Sequence, residues 1–185
     1  MSFDSTRRYR ISINNIRELL ANDGYQREGT GPVPRCEALM RAIEDAARYD
    51  HINLLKELVA EGGDATKCAD PLIAACELGN LHIVRYLCDL GANVNGRGRQ
   101  GETPLMAAAA GGELDVVRFL LSRGADSTMH DTETDSKDAL GWAKIGFAKV
   151  NWPTGMSEAI RLQFEEIILL LTDIKSKPDK RVSPN

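Results

Sequence analysis

The 185-residue chain contains no long apolar run. No stretch approaches the roughly 18 consecutive apolar residues that a membrane-spanning helix needs. The N-terminal segment MSFDSTRRYR (residues 1–10) is polar and lacks the apolar region of a signal peptide. We therefore expect a cytoplasmic protein, with the nucleus as the alternative compartment, and no membrane partner.

An excess of basic residues is also lacking. The 23 lysines and arginines against 27 aspartates and glutamates give a formal net charge of −4. Nonspecific nucleic-acid binding needs a basic surface, so we expect no nucleic-acid partner. The rest of the composition, with 43% hydrophobic and 27% charged residues, is that of an ordinary globular protein with one cooperative core.

The sequence is poor in metal-ligand and catalytic patterns. Its cysteines form no C-x-x-C pair, so a structural zinc site is not expected; they are Cys36, Cys68, Cys76 and Cys88. Cys76 and Cys88 fall on apolar helix positions and are predicted to be buried, inert thiols. No acid, base and nucleophile can be placed around the three histidines, His51, His82 and His130. We expect no catalytic site, no cofactor and no metal.

What the sequence does contain is an internal repeat. Residues 71–92 and 104–125 are identical at eleven positions after a shift of 33 residues. A fixed period of this length is typical of a solenoid, in which stacked units build one continuous core. The repeat therefore predicts that function lies on a surface built by stacking and not in a deep pocket.

Each unit is predicted to contain two helices. In the copy of the repeat at residues 104–125, Thr103 is a candidate N-cap and Pro104 suits the first helical position. Small residues at 107–110 make a thin first helix, before a glycine pair breaks it. A second helix over 114–123 is apolar on two sides, as stacking requires, and Gly124 ends it in a left-handed conformation. The same roles are predicted in the preceding unit for Asp70, Gly79 and Gly91.

The order T-P-L, small residues, glycine, apolar helix and G-A-[DN] resembles the ankyrin repeat. The resemblance covers residues 70–126, and Ile73 and Met106 stand where a histidine usually follows T-P-L. It implies an all-α ankyrin-repeat solenoid that is not an enzyme. It also implies binding of another protein through the hairpin tips and the face of the first helices. We expect such a binding module to be a monomer when it is alone.

The flanking segments are predicted to be degenerate units that cap the solenoid at both ends. Residues 1–37 are assigned to an N-terminal cap helix (residues 13–24) and a loop. Residues 38–176 are assigned to the solenoid and residues 177–185 to a disordered tail. About four units are expected, at residues 38–66, 67–98, 99–132 and 133–176.

The last helix, from Ser157 to Ser176, has more apolar surface than an end cap needs. Its predicted core-facing stripe consists of Ile160, Phe164, Ile167, Leu171 and Ile174. Leu162, Leu169 and Leu170 widen that stripe, and Leu169 or Leu170 is expected to stay partly exposed. An alternative function is therefore that of a structural or assembly protein that self-associates through this helix.

The hairpin tips hold most of the candidate partner-binding residues. Arg97 and Arg99 make the glycine-rich tip at residues 96–101 basic, and neither is expected to be needed for the turn. A phosphate-binding loop is disfavoured there because no buried strand precedes it. The next tip is acidic, so the two tips could pair with each other or form a two-sign surface for a partner. A partly disordered acidic loop is the third alternative. The candidate residues are Arg97, Arg99, Gln100, Glu102, Asp131, Glu133, Asp135 and Trp142.

For two further residues, Trp142 and Asn95, the sequence leaves two alternative roles open. Trp142 is either a binding hot spot or, with Trp152, a plug at the end of the stack. Asn95, in LCDLGANVN, is similar to the hairpin asparagine that an asparaginyl hydroxylase modifies in some ankyrin proteins. An unmodified turn asparagine is the alternative.

Overall fold

The structure is a computed structural model that describes residues 35–132, 137–150 and 157–176. These residues contain eight α-helices and, within those ranges, no β-strand. The helices are α1 (Arg35–Arg48), α2 (Ile52–Ala60), α3 (Asp70–Glu77), α4 (Leu81–Asp89), α5 (Pro104–Gly111), α6 (Leu114–Ser122), α7 (Ala139–Val150) and α8 (Glu158–Ser176).

The helices pack as four pairs, and the pairs stack side by side. The first helices of the pairs contact one another in the order α1, α3, α5, α7. On the other side α4 contacts α6, and α6 contacts α8. One apolar core runs through the whole stack, from Leu39 in α1 to Leu171 in α8. The predicted all-α solenoid of helix hairpins is confirmed.

Small residues let the first helices approach one another closely. Ala75 in α3 and Ala108 in α5 are fully buried, as the thin-helix prediction requires. Between α5 and α7 the approach is closer still, because a Cβ atom on Gly146 would lie 2.2 Å from the carbonyl oxygen of Ala110. A larger residue at Gly146 would therefore push these two helices apart.

The start of α5 follows the predicted capping scheme. The hydroxyl oxygen of Thr103 accepts the backbone N–H of Met106 at 3.3 Å, and Pro104 is the first helical residue. The N–H of Thr103 in turn points at the Met106 sulfur at 3.5 Å. Met106 thus takes the place of the Glu or Gln of a capping box.

The glycine predictions are confirmed, but the Asp70 prediction is wrong by one residue. Gly79, Gly91 and Gly124 all have positive φ, at +73°, +97° and +87°. Helix α3 begins at Asp70, so Ala69 is the N-cap and makes no side-chain capping bond. The carboxylate of Asp70 is instead held by the Arg99 guanidinium at 3.2 Å.

Both ends of the stack differ in detail from the sequence-based expectation. Helix α1 begins at Arg35, inside the segment of residues 1–37 that the sequence assigns to the N-terminal cap helix and loop. Ile160 is predicted to lie in the core-facing stripe, but it is exposed. The packed part of α8 begins only at Phe164, which is the first buried residue of the helix. Ile167 and Leu171 are buried, and Leu169 is 71% exposed, as predicted. The cap helix at 13–24 and the tail at 177–185 lie outside the described residues.

Candidate functional site

A groove of about 180 Å³ lies beside the first helices of three neighbouring units. Its floor is apolar and its edge carries two carboxylates, an amide and an indole. The lining residues are Ile73, Glu77, Gln100, Glu102, Met106, Ala107, Ala110 and Trp142. Three of them, Gln100, Glu102 and Trp142, are candidates named from the sequence.

The depth of the groove follows from the small residues of α5. Ala107 and Ala110 leave room between the hairpin tip and α7, where larger side chains would fill it. Met106 lies beside them, 1% exposed and held by the N-cap of Thr103. The floor is therefore fixed by packing and not by loop conformation.

Trp142 forms the wall of the groove on the α7 side. Its Nε1 donates a hydrogen bond to Asp131 Oδ2 at 2.8 Å, and Asp131 is only 5% exposed. This bond fixes the orientation of the indole ring that lines the groove. Asp131, a candidate partner-binding residue from the sequence, thus has its carboxylate buried against the Trp142 indole.

The side chain of Arg97 stabilises the conformation of its hairpin tip. Its Nη1 donates to the carbonyl oxygens of Gly101 at 2.8 Å and His130 at 2.7 Å. His130 lies 33 residues later, so the bond ties two successive tips together. The expectation that the turn does not need Arg97 is wrong, since this side chain satisfies carbonyls of both tips.

Arg99 joins the tip to two first helices. Its side chain is 71% exposed, yet Nη2 contacts Glu44 at 3.0 Å and Nε contacts Asp70 at 3.2 Å. Glu44 also pairs with Arg48 at 3.2 Å, and Arg48 pairs with Glu77 at 3.3 Å. A ladder of alternating charges therefore leads from the tip to the edge of the groove. This ladder has charges of both signs, and its acidic side chains come from α1 and α3.

Two further candidates at the tips make local contacts. Glu102 accepts the backbone N–H of Gln100 at 2.9 Å, and this bond leaves the Gln100 side chain exposed at the groove edge. Glu133 and Asp135 lie outside the described residues, as does Trp152. Asp138 is buried, pairs with Lys175 Nζ at 2.7 Å and accepts the N–H of Gly141 at 2.9 Å, so it caps the start of α7.

Asn95 bridges two successive turns. Its Oδ1 accepts the N–H of Asp126 at 2.8 Å, and its Nδ2 donates to the Gly124 carbonyl at 3.2 Å. The half-buried side chain therefore holds the second unit against the third. Hydroxylation of Asn95 stays a prediction.

Sequence reasoning missed the contribution of α1. Glu44 and Arg48 face the charged edge of the groove, although α1 lies before the clear repeats. Their spacing of four residues is that of an ion pair on a helix. That spacing predicts the Glu44–Arg48 pair, but not its continuation to Arg99 and Glu77 in other units.

Other kinds of site find little support in the described residues. Cys76 is fully buried, and burial raises the pKa of its thiol well above the usual value. Burial likewise raises the pKa of Cys88. Within residues 35–132, 137–150 and 157–176, His, Cys, Asp and Glu side chains form no group that could hold a metal ion. None of the helices in the same ranges combines the length and apolarity needed to cross a membrane.

Comparison with known proteins agrees with the stacked helix-hairpin fold. A family model described as ankyrin repeats, in three copies, matches residues 39–131, slightly more than half of the chain. No curated protein matches the chain. Ankyrin repeats generally mediate protein–protein interaction, and the family is typically non-catalytic.

Proposed function

Because the chain belongs to the ankyrin-repeat family, we propose that it is a non-catalytic module that binds a partner protein and acts as an adaptor, scaffold or regulator. The observation that carries this proposal is the groove beside the first helices, with its apolar floor and charged edge. Protein interfaces combine these features, an apolar centre and a polar rim.

The groove suits an apolar side chain of the partner, seated on Met106, Ala107 and Ala110. The indole of Trp142, already oriented by Asp131, supplies the kind of residue that dominates binding energy. The charge ladder at Arg99 and Glu77 fixes the register of the partner through complementary charges.

The proposed direct contacts are Arg99, Gln100, Glu102 and Trp142. Arg97 and Asp131 support them, since the first holds the tip and the second orients the indole. Glu133 and Asp135 stay candidates at the next tip. The proposed units remain residues 38–66, 67–98, 99–132 and 133–176, and the proposed compartment is the cytoplasm, with the nucleus as the alternative.

Photo-crosslinking tests this proposal. A photoreactive residue is placed at Gln100 on the groove edge, and in a matched protein at Asn53, an exposed position on α2. In extract of the source cells we expect one discrete heterologous adduct from position 100 that position 53 does not give. Equal labelling from both positions, or adducts from position 53 alone, would place binding elsewhere.

A second candidate function, self-association through α8, is supported by one observation. Leu162 and Leu169 are 52% and 71% exposed, and their spacing of seven residues places them on one face of the helix. Light scattering of the purified protein separates the two functions. A monomer whose mass is unchanged by Leu169→Glu supports the binding module, whereas a dimer that this substitution dissociates supports self-association.

A further inference from the structure

A second cleft, of about 520 Å³, lies on the side of the stack formed by the second helices. It runs between α4 and α6, away from the groove beside the first helices. Three arginines and one aspartate are among its lining residues. The residues are Leu81, Arg85, Asp115, Arg118, Phe119, Ser122 and Arg123.

Phe119 holds two of these arginines at the cleft. The Cζ atoms of Arg85 and Arg123 lie 4.6 Å and 5.0 Å from the centre of its ring. The two guanidinium groups are therefore within about 10 Å of each other, a distance comparable to the Debye length at physiological salt. Cation–π attraction to the ring favours this arrangement, so the two charges are positioned before any ligand arrives.

The arginines differ in how their charges are balanced. Arg118 pairs with Glu166 on α8, and Arg123 pairs with Asp89 at 2.5 Å. Arg85 makes no ion pair with a carboxylate among the residues that the structure describes, although its side chain is exposed. Among the residues that line the cleft, Arg85 is therefore the arginine whose charge no carboxylate of the described residues pairs.

We propose that the cleft between α4 and α6 is a second binding surface, which takes an acidic segment of a protein. A carboxylate of that segment binds the guanidinium of Arg85. Further carboxylates compete with Glu166 and Asp89 for Arg118 and Arg123. Exposed ion pairs contribute only about 0–1 kcal/mol each, so exchanging them costs little.

The chemistry around the cleft favours a protein segment over a nucleic acid. Asp89, Asp115 and Glu166 flank the arginines, and a continuous chain of phosphates would meet all three carboxylates. A peptide can instead alternate acidic residues with apolar ones. The apolar residues would then rest on Leu81 and the edge of Phe119, which line the same cleft.

This surface is separate from the groove of the proposed function. A protein that binds one partner beside its first helices and an acidic segment along its second helices would hold two proteins together. The proposal does not depend on the groove, so the two can fail independently.

The test uses a fluorescein-labelled peptide of alternating glutamate and leucine, and its binding to the full chain is followed by fluorescence anisotropy at about 0.15 M salt. We expect saturable binding to the unsubstituted protein. Arg85→Glu should weaken it at least tenfold, about 1.4 kcal/mol. Lys149→Glu, which makes the same charge change at an exposed position of α7 that lines neither the cleft nor the groove, should alter the dissociation constant by less than about twofold, because exposed charges beyond a Debye length are screened at this salt.

Three results would overturn the proposal. They are an absence of saturable binding, equal weakening by Arg85→Glu and Lys149→Glu, and complete displacement of the peptide by inorganic phosphate, which would assign the cleft to a small anion. Arg85→Gln guards against misfolding, because it keeps an aliphatic stem over Phe119 and removes only the charge. It should weaken binding in the same direction, and unchanged affinity in this variant would also contradict the proposal.

Discussion

Arg97 and Arg99 are two positions apart on one glycine-rich tip, yet their guanidinium groups do different things. Arg97 donates to the carbonyls of Gly101 and His130, whereas Arg99 reaches Glu44, 55 residues earlier in the chain. The sequence shows that both are charged and flanked by glycines. Their partners could not be read from it, because main-chain carbonyls have no sequence signature and Glu44 lies two units away.

The first prediction separates these two roles. Arg97→Ala should lower the free energy of unfolding by about 1 kcal/mol, since two hydrogen bonds that join successive tips are lost. Arg99→Ala should change it by less than about 0.5 kcal/mol, because its ion pairs are exposed. Urea denaturation measures both values. A larger effect from Arg99→Ala would contradict the structural role given to Arg97.

Asp138 carries the second prediction, which concerns pH. Burial raises the pKa of its carboxyl, but the hydrogen bonds from Lys175 and Gly141 more than offset this, and the pKa lies below its ordinary value of 3.8. The ionised form is thus favoured by folding. Its contribution is fully present above the unfolded pKa and is lost as the pH falls through the folded pKa.

Asp138→Asn keeps a side chain that can cap α7 and removes the charge that pairs with Lys175. At about pH 7 it should lower the free energy of unfolding by roughly 1–2 kcal/mol. The difference from the unsubstituted protein should shrink as the pH falls below about 4. Urea melts across this range test the sign, and a difference that stays constant down to about pH 3 would show that the charge is not involved.

Among the helices, α8 closes the last unit by packing Phe164 against glycines. A Cβ on Gly112 would lie 2.6 Å from the Phe164 ring, and one on Gly146 would lie 2.8 Å from it. The ring of Phe147 is 6.1 Å away in a tilted arrangement. The aromatic ring therefore fills the space that the two glycines leave beside α5 and α7.

The third prediction tests this closure. Phe164→Ala should cost about 3–5 kcal/mol of unfolding free energy, because the cavity cannot collapse around two glycines. Leu169→Ala on the same helix should cost less than about 0.5 kcal/mol, since its side chain is exposed. Urea denaturation of the two variants gives the comparison. Similar costs would mean that α8 packs through another face.

How well the helices could be predicted depends on their local signals. In residues 70–126 a proline lies at the start of each first helix, Thr103 caps α5, and left-handed glycines follow the helix ends. The observed helices begin and end within about one residue of expectation. Helix α1 begins directly after the glycines and prolines of residues 29–34, which favour a loop, and the loop was drawn too far into the helix. Ile160 has the right spacing for the core stripe, but spacing does not reveal where a helix leaves the stack.

At the scale of the whole molecule, stacking creates both proposed surfaces from residues far apart in sequence. Trp142, Gln100 and Glu102 could be named from the sequence because they break or flank the repeat. The apolar floor at Met106 and the charge ladder from Glu44 could not, since they exist only after three units are packed. The arginine cleft is of the same kind, because Arg85 of one unit and Arg123 of the next meet over the ring of Phe119.

The central claim is that the groove beside the first helices binds a partner protein. The measurement that tests it most directly is the dissociation constant of the partner recovered by crosslinking at Gln100, for two charge-reversed variants. Arg99 and Arg161 are both exposed arginines with two ion pairs each, but only Arg99 lies on the groove side.

Arg99→Glu should leave the melting temperature within a few degrees, because exposed ion pairs contribute little. It should weaken binding at least tenfold, about 1.4 kcal/mol, with slower association at low salt. Arg161→Glu should alter the dissociation constant by less than about twofold. Unchanged affinity in Arg99→Glu, or a larger loss in Arg161→Glu, would contradict the assignment of the groove as the binding site.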